Sequence, residues 1–155
     1  MRGDKNMDKL AISLKPMKYR YEKNGIEHEA SVVEFVINGE ELSHILGIER
    51  DLDNSGCDLD PLMRDGICRE FVDILAGNIP PPNQFGTPRV VLYRCHCGCD
   101  YCGVISCALS KSGQTITWSG IGYEDDSSLE SGPSYTFDLD AYMKEIKRFA
   151  AGRVG

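Results

Sequence analysis

The chain has 155 residues, a length that suits one domain. Hydrophobic residues make up 41% and charged residues 26%, ordinary values for a globular fold. A net charge of −7 repels phosphate backbones, which argues against nucleic acid as a partner; it is compatible with a basic protein partner and also serves solubility.

The opening "MRGDKNMDKL" carries charge with no apolar run behind it, so no secretory leader is expected. No stretch approaches the length of a membrane span, and no membrane partner is expected. The expected setting is the cytoplasm, where thiols stay reduced. Residues 1–9 are read as disordered, 10–150 as one domain and 151–155 as a disordered end.

Residues 10–22, "LAISLKPMKYRYE", alternate like a strand bent or broken at Pro16. "KNG" at 23–25 signals a hairpin, and "IEHEASVVEFVI" returns as the second strand. A further Asn-Gly stands at 38–39, and "EELSHILGI" predicts a short helix with Leu42, Ile45 and Leu46 on one face. From 60 to 77 the spacing predicts a helix capped by Asp60, with Pro61 in its first position and Gly77 as its stop. "NIPPPNQFGTP" is a loop stiffened by three prolines.

"RVVLYRCHC", "VISCALSK" and "QTITWSGIGYE" then form a three-stranded antiparallel meander, 89–97, 103–110 and 114–122. "EDDSSLESGPS" reads as an acidic, flexible loop, and "YTF" as a short strand. Asp138 caps a last helix over 139–150, where Leu139, Tyr142, Met143, Ile146, Phe149 and Ala150 make an apolar stripe. The expected class is α+β: a single domain with an antiparallel sheet, built of an N-terminal hairpin and the meander, and two main helices packed on it.

"VINGEEL", "LYRCHCGCDYCGVISCAL…ITW" and "SGPSYTFDLDAYMKEI" together resemble a family of small uncharacterised bacterial proteins. The shared frame is an NG-x-x-L segment, a C-x-C-G-x-x-x-C strand–turn–strand, a tryptophan strand and a GP…F…Y lead into a terminal helix. Cys95, Cys97, Gly98, Cys102, Trp118, Gly132, Pro133, Phe137 and Tyr142 match that frame. Cys99 departs from it, since the family position is usually acidic or otherwise not cysteine. The resemblance implies a domain and brings no activity with it.

Chemistry concentrates in "CHCGCDYC", four cysteines and a histidine in eight positions. Cys99 and Cys102 have the spacing of a zinc knuckle, and Cys95 and Cys97 share one face of a strand. Together the four make a candidate zinc site, although zinc sites usually draw their pairs from separated segments. A redox C-x-x-C normally opens a helix, whereas this pair sits in a β-turn. The simplest reading packs Cys95, Cys97 and Cys107 as small hydrophobes and leaves Cys99 and Cys102 to shape the turn.

Other motifs are incomplete. "DLDNSGCDLDPL", 51–62, imitates a calcium loop, but Leu62 stands where a bidentate glutamate is needed. His28, His44 and His96 are scattered, and neither a nucleophile motif nor a phosphate loop is present. No enzyme and no cofactor are therefore expected. Glu124, Asp125, Asp126 and Glu130 are the candidate contacts for a basic protein partner. The function expected is that of an acidic interaction protein that neutralises such a partner, as immunity proteins do to bacterial toxins. The alternative is a zinc-stabilised structural or regulatory domain.

Overall fold

A computed structural model describes residues 7–20, 25–49, 51, 54, 69–81, 83–95 and 99–154. The alternating N-terminal segments pair as β1 (Leu10–Arg20) and β2 (Glu27–Ile37), in unbroken register from Leu10 opposite Ile37 to Arg20 opposite Glu27. Asn38 and Gly39 then take positive φ angles of 54° and 85°. A two-residue hairpin turn demands such angles, and β3 (Glu40–Glu41) folds back onto Val36 and Ile37. The short helix α1 (Leu42–Ile45) follows directly.

Pro16 does not break β1. It lies opposite Ser31 within the continuous ladder. Strand β1 is at the edge of its sheet, and residues of Pro16's parity turn their backbone groups outward. Ile12 marks that side: its N–H donates to Glu145 (2.8 Å) and its carbonyl accepts from Arg148 (3.0 Å). A missing N–H at Pro16 thus costs no ladder bond.

Of the helix expected over 60–77, α2 (Arg69–Leu75) is seen, and residues 60–68, including the Asp60 cap, lie outside the described residues. Gly77 closes it with φ of 76°, its N–H donating to the Ile74 carbonyl (3.0 Å). The meander forms as β4 (Arg89–Tyr93), β5 (Val104–Ser112) and β6 (Thr115–Glu124), and β7 (Tyr135–Asp138) completes an antiparallel sheet in the order β4-β5-β6-β7. Helix α3 (Leu139–Val154) is capped by Asp138, whose carboxylate accepts from the Ala141 N–H (3.0 Å).

The protein is an α+β domain, with its strands in two antiparallel sheets. The N-terminal hairpin does not join the meander edge to edge. The sheets meet instead at Phe35, whose ring lies 5.8 Å from Tyr93 and 5.5 Å, edge-on, from Trp118. Helix α3 packs on β1, β6 and β7 through the buried stripe Tyr142, Ile146 and Phe149. Tyr142 ties the layers: its hydroxyl accepts from the Trp118 indole N–H (3.0 Å) and donates to the Leu75 carbonyl (2.7 Å). Burial pushes that phenol's pKa upward.

The described residues reach past 10 and 150 at the two ends. Asp8 exchanges two bonds with Thr136, each 2.9 Å, and also accepts from Asn38 (3.0 Å). At the other end α3 continues to Val154. No helix among the described residues is long and apolar enough to cross a membrane.

Candidate functional site

Arg94, just past the end of β4, and Asp100, in the cysteine turn, come together. Their Nε and Oδ1 atoms are 3.2 Å apart, with side chains only 12% and 2% exposed. Asp100 and Gln84 exchange a reciprocal pair, backbone N–H to side-chain oxygen in each direction, both 2.9 Å. Tyr101 stands edge-on to Phe85 at 5.2 Å. The Cys102 N–H donates to the Cys99 carbonyl (3.3 Å) and the Gly103 N–H to that of Asp100 (2.8 Å), winding a 3-10 turn. Gly103 has φ of 100°, and a Cβ there would fall 2.5 Å from the Tyr123 ring. The turn is thus anchored on Asp100 and demands glycine at 103.

The four candidate zinc ligands are placed unequally. Cys95 is buried, Cys99 half-buried and Cys102 exposed. Cys97 lies outside the described residues, as do His96 and most of the calcium-like stretch 51–62. Among the described residues no three His, Cys, Asp or Glu side chains are gathered so as to hold a metal. Cys107 lies deeper still. Burial, opposed by the nearby Arg89 charge, pushes its thiol up to about 12, so it is a packing group and not a nucleophile at neutral pH.

The acidic segment divides in two. Strand β6 runs on through Glu124, which pairs with Val104, so the pleat sets Glu124 on the sheet face of Ser106, opposite the face that Tyr123 shares with Ile105. Glu124 is 3% exposed; it accepts from Ser106 (2.9 Å) and Thr87 (3.1 Å), and Arg89 stands 3.9 Å away. Arg89 in turn donates to the carbonyls of Ser106 (2.9 Å) and Gly120 (2.7 Å). Its place among the partner-facing acids is corrected: Glu124 holds β4, β5 and β6 together. In the sequence Glu124 is both the last letter of the strand "QTITWSGIGYE" and the first of the acidic run, and the run alone suggests a partner contact.

Beyond it the loop is no flexible tether. Asp125 accepts from the backbone N–H groups of Ser127 (2.9 Å) and Ser128 (2.7 Å) and from both serine hydroxyls (3.2 and 2.9 Å). The Asp125 N–H reaches the Ser128 carbonyl (3.0 Å), and the Glu130 N–H reaches that of Tyr123 (2.8 Å). The result is a tight hairpin. Its signal was present in D-x-S-S, the pattern of an aspartate that bonds its own following backbone. Two bare glycines keep the return segment flat on β6: a Cβ on Gly122 would lie 2.3 Å from the Glu130 carbonyl oxygen, and one on Gly132 2.3 Å from that of Ile121.

These bonds hold the Asp125 carboxyl at about 2, the Ser127 backbone N–H being the largest cause and the Ser128 hydroxyl the next. A depressed folded-state pKa gives stability that is fully present above the unfolded value, near 3.8, and is lost as pH falls through about 2. Urea midpoints measured from pH 5 to pH 2 should fall across that window, and Asp125→Asn should flatten the fall. An unchanged profile in the variant would mean that other carboxylates control acid unfolding.

Asp126, Glu130, Leu129 and Tyr123 remain at the surface, the last two 53% and 36% exposed. The Tyr123 pKa is raised by partial burial first, then by the proximity of the Asp125 carboxylate and by the charges of Glu130 and Asp126. Three carboxylates therefore surround one exposed ring. Beside it opens a cleft of about 490 Å³ between the end of α1 (Ile45, Leu46, Ile48) and the 130–133 segment, with Ile105 and Ile121 also among its walls.

A larger hollow, about 740 Å³, lies between Leu10 and α3. Several of its charged groups are engaged: Glu145 accepts from the Ile12 N–H and from Arg148 (2.7 Å), and Asp8 is held by Thr136 and Asn38, while Lys9 and Lys144 also line it.

Glu34 is another buried acid that the sequence did not single out. It stands in an apolar strand, accepts from Ser43 (2.5 Å), from the Phe35 N–H (3.0 Å) and from the Tyr93 hydroxyl, and joins the two sheets. A charged letter inside "EASVVEFVI" was the only cue. No family model, curated protein or solved structure matches the chain.

Proposed function

We propose that this domain is a non-enzymatic protein-binding module whose partner is a basic protein, and that it acts by blocking that partner in the bacterial cytoplasm, in the manner of a toxin-neutralising immunity protein. The observation that carries the reading is the acidic hairpin: Asp126 and Glu130 exposed around Tyr123, on a turn fixed by Asp125 and seated on a sheet. Rigid presentation lowers the ordering cost of binding, and clustered like charge steers an oppositely charged partner. The net charge of −7 adds a long-range attraction of the same sign.

The test is co-expression with the product of the adjacent gene. A basic, growth-inhibiting neighbour should be neutralised, and native mass spectrometry should record a stoichiometric complex that dissociates as salt is raised. A partner whose inhibition persists, or a complex insensitive to salt, would overturn the reading.

A further inference from the structure

We infer that the cleft beside the acidic hairpin receives an extended basic segment of the partner, one apolar side chain entering between α1 and the 130–133 segment while flanking arginine or lysine side chains meet Asp126 and Glu130. This rests on the protein-binding reading above and gives that partner's contacting segment a chemistry.

Four observations carry it. The first is size: about 490 Å³ falls within the range of pockets that enclose a ligand group. The second is the wall. Ile45, Leu46 and Ile48 are only partly buried against the core, so their free faces line the opening with apolar surface. The third is charge. Among the described lining residues Glu130 alone is charged, and Asp125 and Asp126 stand close enough to act on the Tyr123 ring at the same mouth. An acidic or purely apolar segment would leave these carboxylates repelled or stripped of water without a partner. A guanidinium gains both the carboxylates and the exposed ring face.

The fourth observation is rigidity on both sides. Ile48 is held by its N–H bond to the Ser43 carbonyl (3.0 Å), which folds the chain back after Gly47. The opposite wall is pinned by the Ile121 N–H bond to the Pro133 carbonyl (2.9 Å) and by the contacts at Gly122 and Gly132. A cleft between two fixed walls selects by shape as well as charge, which a mobile acidic loop could not do.

Titrations followed by two-dimensional NMR test this, with three capped octapeptides as probes: alternating arginine and leucine, alternating glutamate and leucine, and alternating arginine and serine. The arginine–leucine peptide should shift resonances of Ile48, Ile121, Tyr123 and Glu130 saturably, and the other two should bind at least several-fold more weakly. Glu130→Gln and Asp126→Asn should each weaken binding roughly twofold to fivefold, as exposed ion pairs do. Ile48→Ser should weaken it with the spectrum otherwise intact. Equal binding of the glutamate–leucine or arginine–serine peptide, or shifts mapping elsewhere, would overturn the inference. The peptide titration reads the cleft alone and the co-expression assay reads the whole chain, so the two failures separate. If a partner is still neutralised by a chain carrying Ile48→Ser and Glu130→Gln, the cleft is not the contact and the protein-binding reading stands.

Discussion

Trp118→Ala is expected to destabilise the domain by about 3–5 kcal/mol, the cost of truncating a fully enclosed aromatic residue. Trp118 is wholly buried, and its ring meets Phe35 at 5.5 Å, Phe137 at 5.4 Å and Tyr142 at 6.1 Å, each close to edge-on. It belongs to the meander sheet and touches Phe35 of the hairpin sheet and Tyr142 of α3. Removing it opens a cavity where these three layers meet and leaves the Tyr142 hydroxyl without its indole donor. Urea titration of both proteins measures the difference. Trp118→Phe should cost less, since it keeps a ring and loses mainly the N–H. A loss below about 1 kcal/mol for the alanine variant would mean that the two sheets do not share a core.

The second large effect concerns the cysteine turn. Arg94→Met is expected to cost about 3–5 kcal/mol, because it leaves the Asp100 carboxylate enclosed and deprived of its guanidinium. The loss should fall on the turn before the rest of the molecule. Asp100 holds the loop at Gln84, and the turn's backbone bonds run through Cys99 and Asp100. Cys99 should therefore react faster with iodoacetamide in the variant, while Cys107 stays protected. Replacing both charges, Arg94→Met with Asp100→Leu, should recover part of the stability, since no lone charge then remains inside. Equal stability of single variant and wild type would show the pair to be solvated.

The contrast between these two sites explains what could be read from the chain. Trp118 was legible because β6 alternates, and because "SG" at 112–113 fixes a turn, with Gly113 at φ of 58°. Asp138 was legible as a cap because an apolar stripe of helical period follows it. Local pattern sufficed in both places. Asp100 was not legible: attention falls on the cysteines around it, and C-x-x-C spacing serves a 3-10 turn as well as a metal. What makes Asp100 structural is Arg94 and Gln84, six and sixteen residues away. The separation of the strands into two sheets was hidden for the same reason, since it depends on Phe35 meeting Tyr93 and Trp118 across the fold. Glu124 failed at a smaller scale. Its letter belongs to an acidic run, but on β6 it shares a sheet face with Ser106, where Thr87 and Arg89 cover it.

The Glu145–Arg148 ion pair on α3 bears on how the molecule behaves in a crowd. A hairpin edge is an open template, and a long one invites a second chain to pair along it. Here the Ile12 N–H and carbonyl are already occupied by Glu145 and Arg148, and Pro16 has no N–H to give. A foreign strand laid along residues 12–16 would find its first pairing position taken and its last lacking a donor, with only the exposed Leu14 between them. The final helix thus does more than cover the sheet: two of its surface side chains guard the domain against self-association through β1.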